Sequence, residues 1–434
     1  MLTTSALRTA RLLSLPLGAV GLGFEGLTRR LTGEDRDRLR AELRRRQADR
    51  TRRVLGELKG GALKAGQLLS TVEALFPQDP EDTWRNALVD LQDSNPGLPF
   101  AEVEPVLREL GPGRFRALDE TPAAAASLGQ VHRATWSDGR PVAVKVQYPG
   151  VREALAADLR ALSLLSRAAA LVAPGMALPP LVSEMRVRLV EELDYLHEAR
   201  SQRRFAAAYG GDPDVLIPEV IEATPRVLVM DWVEGTPLAR VAAEGTQTER
   251  DRAAALYQRF LVSGPERAGL LHTDPHPGNF RLVGHRLGVL DFGSTLELAG
   301  MPATFGRLIR ALLERAPDVV LARLQQDGFV RPGVSLDVGK LVDYMAPFTE
   351  PARHEEFTFT RAWLQQEFGR VNDPRDPDFA VALKLTMPAE HLFTHRVWLG
   401  MVGVLCQLEA TVPVRPVLAR WLPGFDPAPI GAQA

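Results

Sequence analysis

The densest group of chemistry-bearing side chains lies in residues 272–293, where HTDPHPGNF is followed by VLDFG. Asp274 and Asn279 are separated by four residues, and Asp291 opens an Asp-Phe-Gly tripeptide seventeen residues beyond Asp274. Phosphoryl transfer needs a carboxylate to orient or deprotonate the attacking oxygen, and oxygen ligands that keep Mg²⁺ on the phosphates. An Asp-x4-Asn on a tight loop supplies the first group and one ligand. A carboxylate at the end of the run Leu287–Leu290 supplies another. Taken singly, the tripeptide is a common turn and Asp274 an ordinary helix cap. In this order and at this spacing the joint reading is phosphoryl transfer.

The arrangement is that of a protein-kinase catalytic loop and its DFG, with HTD standing where HRD stands. A kinase also needs a strand lysine to pin the nucleotide phosphates, itself held by a helix glutamate. Lys145 ends the run VAVK, 129 residues before Asp274. Glu198, in EELDYLHEA, is the candidate glutamate. On one continuous helix it would share a face with Glu191 and with Asp194, although a plain charged helix face fits that periodicity equally well. A GxGxxG phosphate loop is missing. Its place is taken by AAAASLGQVH (Ala123–His132), whose Cβ atoms narrow the φ/ψ choices that glycines would leave open.

Elements that must position these residues can be read from periodicity. Helices are expected over 34–76, 100–111 and 151–209, the second stopped by Gly111-Pro112-Gly113. Val131–Gln147 reads as a hairpin turning at Ser137-Asp138-Gly139. Strands are expected at 215–221 and 226–233, and a β-like stretch at 280–291 interrupts a helical C-terminal part. The fold class is therefore α+β with two lobes.

The formal net charge of -2 hides a partition. Residues 29–53 hold eleven arginines against five acids, and residues 1–28 add +1, so residues 1–53 carry +7 and the remaining body -9. Such a balance argues against a protein that coats nucleic acid. The apolar stretch Leu12–Phe24 is too short to span a bilayer and lacks a convincing leader cleavage site. Flanked by arginines, it suits a membrane surface, with a packed apolar arm and a solvated basic helix as the equal alternative. Cys406 is the only cysteine, which leaves no intrachain disulfide or cysteine-based metal site.

Together AAAASLGQVH, VAVKVQYPGV, EELDYLHEA, HTDPHPGNF and LDFG resemble the UbiB/AarF atypical kinase family, whose eukaryotic members serve coenzyme Q biosynthesis. LKAGQLLS adds the family's KxGQ at Lys64, Gly66 and Gln67. The resemblance implies a protein-kinase-like two-lobed fold whose N-terminal helical extension lays the KxGQ helix over the active site. It also implies roles. Lys145 pairs with Glu198 at the phosphates, Asp274 is the catalytic-loop aspartate, and Asn279 and Asp291 ligate Mg²⁺. Ala123, Ala124, Ala125, Ala126 and Ser127 cover the nucleotide, while Met230, Asp231 and Val233 face the adenine. Lys64 reaches toward Glu192 and Asp194, the ExD motif. Gly66 lets another backbone approach, and Gln67 can donate or accept at that contact.

Expected domains are an arm (1–33), a helical KxGQ extension (34–118), an N-lobe with a helical insertion (119–232), a helical C-lobe (233–423) and a disordered tail (424–434). The expected activity is that of an enzyme, a kinase or ATPase using ATP or ADP with Mg²⁺ in isoprenoid quinone or membrane lipid metabolism. A KxGQ helix over the acceptor side disfavours protein substrates. Expected partners are a nucleotide, a membrane surface or prenyl-lipid quinone precursor, and quinone-biosynthesis enzymes, in the cytoplasm or peripheral on the inner membrane face. Two rivals remain: a small-molecule phosphotransferase of the aminoglycoside or choline type, and a non-catalytic nucleotide-gated lipid-binding scaffold.

Overall fold

A computed structural model describes residues 97–125, 128–156, 159–160, 163, 193–331, 333–372, 381 and 384–425. The arm, the expected helix 34–76, Lys64, Gly66, Gln67, Ala126, Ser127, Glu192 and the tail from 426 lie outside the described residues. The chain divides into two compact units, residues 1–197 with 220–232, and residues 198–219 with 233–434.

In the first unit an antiparallel sheet runs in the order β1 (Phe115–Leu118), β3 (Gly129–Trp136), β4 (Pro141–Gln147), β7 (Val227–Asp231), β6 (Val220–Ala223), with the short β2 (Ala124–Ala125) paired to β3. β4 sits in the middle, paired to β3 on one side and β7 on the other, and its valines Val142, Val144 and Val146 are all fully buried. The β3–β4 turn closes at Gly139, whose φ of +99° only glycine adopts readily. Asp138 accepts from the Arg140 N–H there at 2.9 Å. Val103, Val106, Leu107 and Leu110 recur at helical spacing across the helix Phe100–Leu107 and the 3₁₀ turn after it. They bury against Trp136, Val142, Val144, Val146, Val227 and Val229.

The second unit is mainly helical. Its longest element, the helix Gln247–Ala268, starts with a reciprocal Thr246–Glu249 capping box and ends at Gly269 in the left-handed region. Phe205, Tyr257, Phe260, Phe280 and Phe292 form the aromatic centre of its core, with the helix Leu392–Leu408 contributing Met401 and Leu405. A four-stranded sheet, β5 (Val215–Leu216), β11 (Arg286–Val289), β10 (Phe280–Val283), β8 (Thr236–Pro237), and a two-stranded ribbon of β9 (Leu270–His272) with β12 (Thr295–Glu297) carry the chemistry-bearing loops. Among the described residues no helix is long and apolar enough to cross a membrane.

Two expectations change. The expected helix 151–209 is interrupted at Leu193–Asp194, and a new helix begins at Tyr195 (Tyr195–Ala208). Asp194 stands just outside it and accepts from the Leu196 N–H at 3.0 Å, a capping contact. Asp194 and Glu198 therefore do not share one helix face. The expected strand 215–221 is two strands, β5 in the second unit and β6 in the first, because Pro218 has no N–H to continue a ladder.

Candidate active site

In the first unit the strand lysine is set by register. Lys145 lies opposite Val131 and Leu228, is 8% exposed, and holds its Nζ 5.2 Å from the centroid of the Tyr195 ring. That ring face attracts a cation and keeps the ammonium from folding away. Tyr195 also limits its neighbour: a Cβ on Gly129 would stand 2.9 Å from the Tyr195 hydroxyl and 2.3 Å from the Val146 carbonyl. Only glycine allows β3 to lie that close.

The alanine segment folds back on β3. Ala124 pairs with Val131, Ala125 with Gln130, and the Ala123 N–H donates to the Val131 carbonyl at 2.8 Å. All three alanines are exposed. Beneath them Gln130 and His132 are fully buried in one hydrogen-bonded chain. Gln130 accepts from the Leu98 N–H at 2.7 Å and donates to the Leu98 carbonyl at 3.2 Å and to His132 Nε2 at 2.8 Å. His132 Nδ1 faces the Asp119 carbonyl at 2.7 Å. A carbonyl only accepts, so this histidine carries its proton on Nδ1. Both lie within the AAAASLGQVH segment, but the sequence assigned neither a role. Met230 is buried in β7, opposite Ala143. Asp231, half-buried, pairs with Arg140 at 3.6 Å.

In the second unit the loop 273–279 leaves β9 and the Asp-Phe-Gly turn follows β11. Asn279 Nδ2 donates to Asp274 Oδ2 at 3.0 Å and to the Asp274 carbonyl at 3.2 Å. Both partners are acceptors only, which fixes the amide's orientation and leaves Asn279 Oδ1 as the acceptor end of the amide. The Leu290 N–H donates to the Asn279 carbonyl at 2.9 Å, joining the loop to the strand end. Thr273 and Ser294 are bonded through both backbone, at 3.0 Å, and hydroxyls, at 2.7 Å. Asp291 Oδ1 accepts from the Gly293 N–H at 2.9 Å, and Glu198, 1% exposed, accepts from the Phe292 N–H at 3.4 Å. A Cβ on Gly293 would stand 3.3 Å from Asp291 Oδ1 and 3.4 Å from Glu198 Oε2, so two carboxylates converge on one turn. Val233 borders Gly288 in the same unit.

His272 links the two loops. It is caged by Phe205, Phe260, Phe280 and Phe292 at 5.6–6.5 Å, and its Nε2 donates to the Asp291 carbonyl at 2.7 Å. Burial pushes its pKa below the usual histidine range, against the opposing pull of the Asp291 carbonyl and the carboxylates of Asp274 and Asp291. The ring is therefore a neutral donor. Converging carboxylates and an amide oxygen are hard donors suited to Mg²⁺. Among the described residues no group of three or more His, Cys, Asp or Glu could hold a metal unaided.

Residues 90–316 match the family model described as the ABC1 atypical kinase-like domain. The chain belongs to that family. Atypical kinase COQ8 of Saccharomyces cerevisiae is 32% identical over 260 residues, 58% of this chain and 51% of that protein. Atypical kinase coq-8 of Caenorhabditis elegans is 33% identical over 440 residues, 93% of this chain and 55% of that one. The chain spans about half the length of the curated relatives it matches. A solved structure of Mycobacterium tuberculosis Rv3197, in complex with erythromycin, is 37% identical, covers 91% of this chain and all of its own, and superposes with a TM-score of 0.69. The kinase-like fold and the UbiB/AarF resemblance are borne out.

Within this ABC1 chain the second unit brings together Asp274, Asn279, Asp291 and Glu198, while Lys145, Ala123–Ala125, Met230 and Asp231 belong to the first. Tyr257 and Gly400 escaped the sequence analysis, and His272 was marked there only as the first residue of HTD. Its place is that of the kinase histidine of HRD, but the spacing gave it no role of its own. No local pattern marks the other two.

Proposed function

We propose that the chain binds ATP or ADP with Mg²⁺ and works as a phosphotransferase or ATPase in isoprenoid quinone or membrane lipid metabolism. One observation carries this reading: Asn279 is hydrogen-bonded to Asp274 on one loop, Asp291 accepts from the Gly293 N–H on the next, and the Leu290 N–H joins the two loops at the Asn279 carbonyl. Asn279 Oδ1 and the Asp291 carboxylate would hold Mg²⁺, which when bound supplies charge neutralisation on the phosphates. By the family resemblance, Lys145, with Glu198 as its glutamate, would steady nucleotide phosphates, and Ala123–Ser127 would cover them. Asp274 orients the attacking water or hydroxyl, its second oxygen already aligned by Asn279. Lys64, Gly66 and Gln67, with Glu192 and Asp194, restrict the acceptor side and disfavour a protein substrate. Met230, Asp231 and Val233 face the base. Residues 1–53 are proposed to engage an anionic membrane surface through their +7 charge. The names of the yeast and nematode relatives, together with the family resemblance, support the quinone context.

ATP turnover of the full chain, measured with and without anionic liposomes carrying a prenylated quinone precursor, tests the proposal. Turnover that needs Mg²⁺ and rises with the liposomes is expected. Equal rates for the parent protein and Asp291→Asn would refute it. The erythromycin complex of the M. tuberculosis relative favours one second reading, a small-molecule phosphotransferase. Mg²⁺-dependent transfer to a small hydroxylated acceptor, with no response to liposomes, would select it.

A further inference from the structure

Two residues outside every motif hold the loop that carries Asp274. Tyr257, fully buried in the helix Gln247–Ala268, donates its hydroxyl to the Pro275 carbonyl at 2.6 Å. The same ring stands edge-on to Phe280 with centroids 4.9 Å apart. One side chain therefore touches both ends of the Asp274–Asn279 loop. Burial, reinforced by the Asp274 charge, holds the Tyr257 phenol well above its usual pKa, so it stays a donor. Gly400, in the helix Leu392–Leu408, leaves room for the Pro275 ring. A Cβ there would stand 2.4 Å from Pro275 Cγ, far inside carbon contact distance. Glycine weakens a helix relative to alanine, and Gly403 on the same helix has nothing within 4 Å of its own missing Cβ. Gly400 has a packing reason that Gly403 lacks.

We propose that Tyr257 and Gly400 are positioning residues: they clamp Pro275, and through the adjoining peptide set where the Asp274 carboxylate stands during phosphoryl transfer. The inference rests on the reading of the site given above. Neither residue touches the reacting atoms, so their removal should slow the chemical step and leave nucleotide binding alone.

The experiment uses the full chain and compares Gly400→Ala, Tyr257→Phe, the control Gly403→Ala, and Gly400→Ala combined with Pro275→Ala. Mg·ATP turnover, direct nucleotide titration, melting temperature and hydrogen exchange of the 273–281 segment are measured on each. Gly400→Ala is expected to lower kcat about thirty-fold and Tyr257→Phe about five-fold, because misplacements near 1 Å reach about a hundred-fold. Both should speed exchange at 273–281 while KM for ATP stays put. Gly403→Ala should match the parent in rate. Adding Pro275→Ala to Gly400→Ala removes the colliding Cγ and should recover much of the lost rate. Parent-like turnover in Gly400→Ala and Tyr257→Phe overturns the inference. So does a loss shared equally by kcat, nucleotide affinity and melting temperature that Pro275→Ala does not relieve. Should Gly400→Ala fail to fold, Tyr257→Phe, which deletes one oxygen, decides. If the parent shows no turnover, the functional reading fails and exchange alone judges the clamp: faster exchange in the two variants but not in Gly403→Ala supports it, and unchanged exchange overturns it.

Discussion

The two units hold their chemistry-bearing residues by different means. In the first, position comes from sheet register: Lys145 is fixed by its ladder partners Val131 and Leu228, and the alanine hairpin by pairing to β3. In the second, position comes from individual hydrogen bonds between side chains and loop backbone, such as Asn279 to Asp274 and His272 to Asp291. A ladder spreads the load over many equivalent bonds, so no single side chain there is decisive unless it blocks the strands' approach. A loop held by named bonds loses its geometry when one is removed. Damage to the first unit's sheet should therefore register as stability, and damage to the second unit's Asp274 and Asp291 loops as rate.

The largest effect should come from the loop pair. Asp274→Asn keeps the shape of the side chain and removes its charge, and is expected to lower turnover about a thousand-fold with melting temperature nearly unchanged. A Tm fall of many degrees with a preserved rate would erase the contrast. Next, Gly129→Ala drives a Cβ into the Val146 carbonyl and the Tyr195 hydroxyl. It should destabilise the sheet by about 3 kcal/mol, seen as a lower midpoint in denaturant titration, and any surviving folded protein should turn over normally.

Asp212 supplies an intermediate case. Its side chain is 6% exposed and bridges Arg259 at 3.0 Å and Arg267 at 2.5 Å. Burial raises its pKa, but the Arg267 hydrogen bond, the Asp214 N–H and the two guanidinium charges outweigh it, so the net shift is downward. A carboxyl lowered on folding contributes stability that is present above its unfolded pKa, about 3.9, and is lost as pH falls through the folded value. Asp212→Asn should lose about 2 kcal/mol at neutral pH and, in urea melts taken from pH 5 to 2, show a shallower acid decline than the parent. The smallest effect is expected at the start of the long helix. Thr246→Ala removes the capping box and should lower stability by about 1 kcal/mol, with no change in rate.

Much of the site was legible because its chemistry is local. Asp274, Asn279 and Asp291 lie within eighteen residues of one another, and Lys145 stands in an alternating apolar run that announces a buried strand. The interruption at Asp194 was readable too, since aspartate favours the cap position, but a continuous apolar and charged periodicity across 151–209 outweighed it. Pro218 likewise marked the break between β5 and β6. Tyr257 and Gly400 had no such mark. A tyrosine inside an amphipathic helix and a glycine in an apolar one have many ordinary explanations, and Pro275 is 18 residues from the first and 125 from the second.

The sequence by itself determined the class of chemistry, the family and the α+β character, because types and spacing along a loop or strand survive without knowledge of the third dimension. Tertiary structure decided the rest. It put the His272 ring in an aromatic cage as a neutral donor to Asp291, turned the Asn279 amide toward Asp274, and set the Pro275 ring against Gly400. Those outcomes depend on which distant surfaces meet, and packing contacts a few ångströms long leave no periodicity in the chain that makes them.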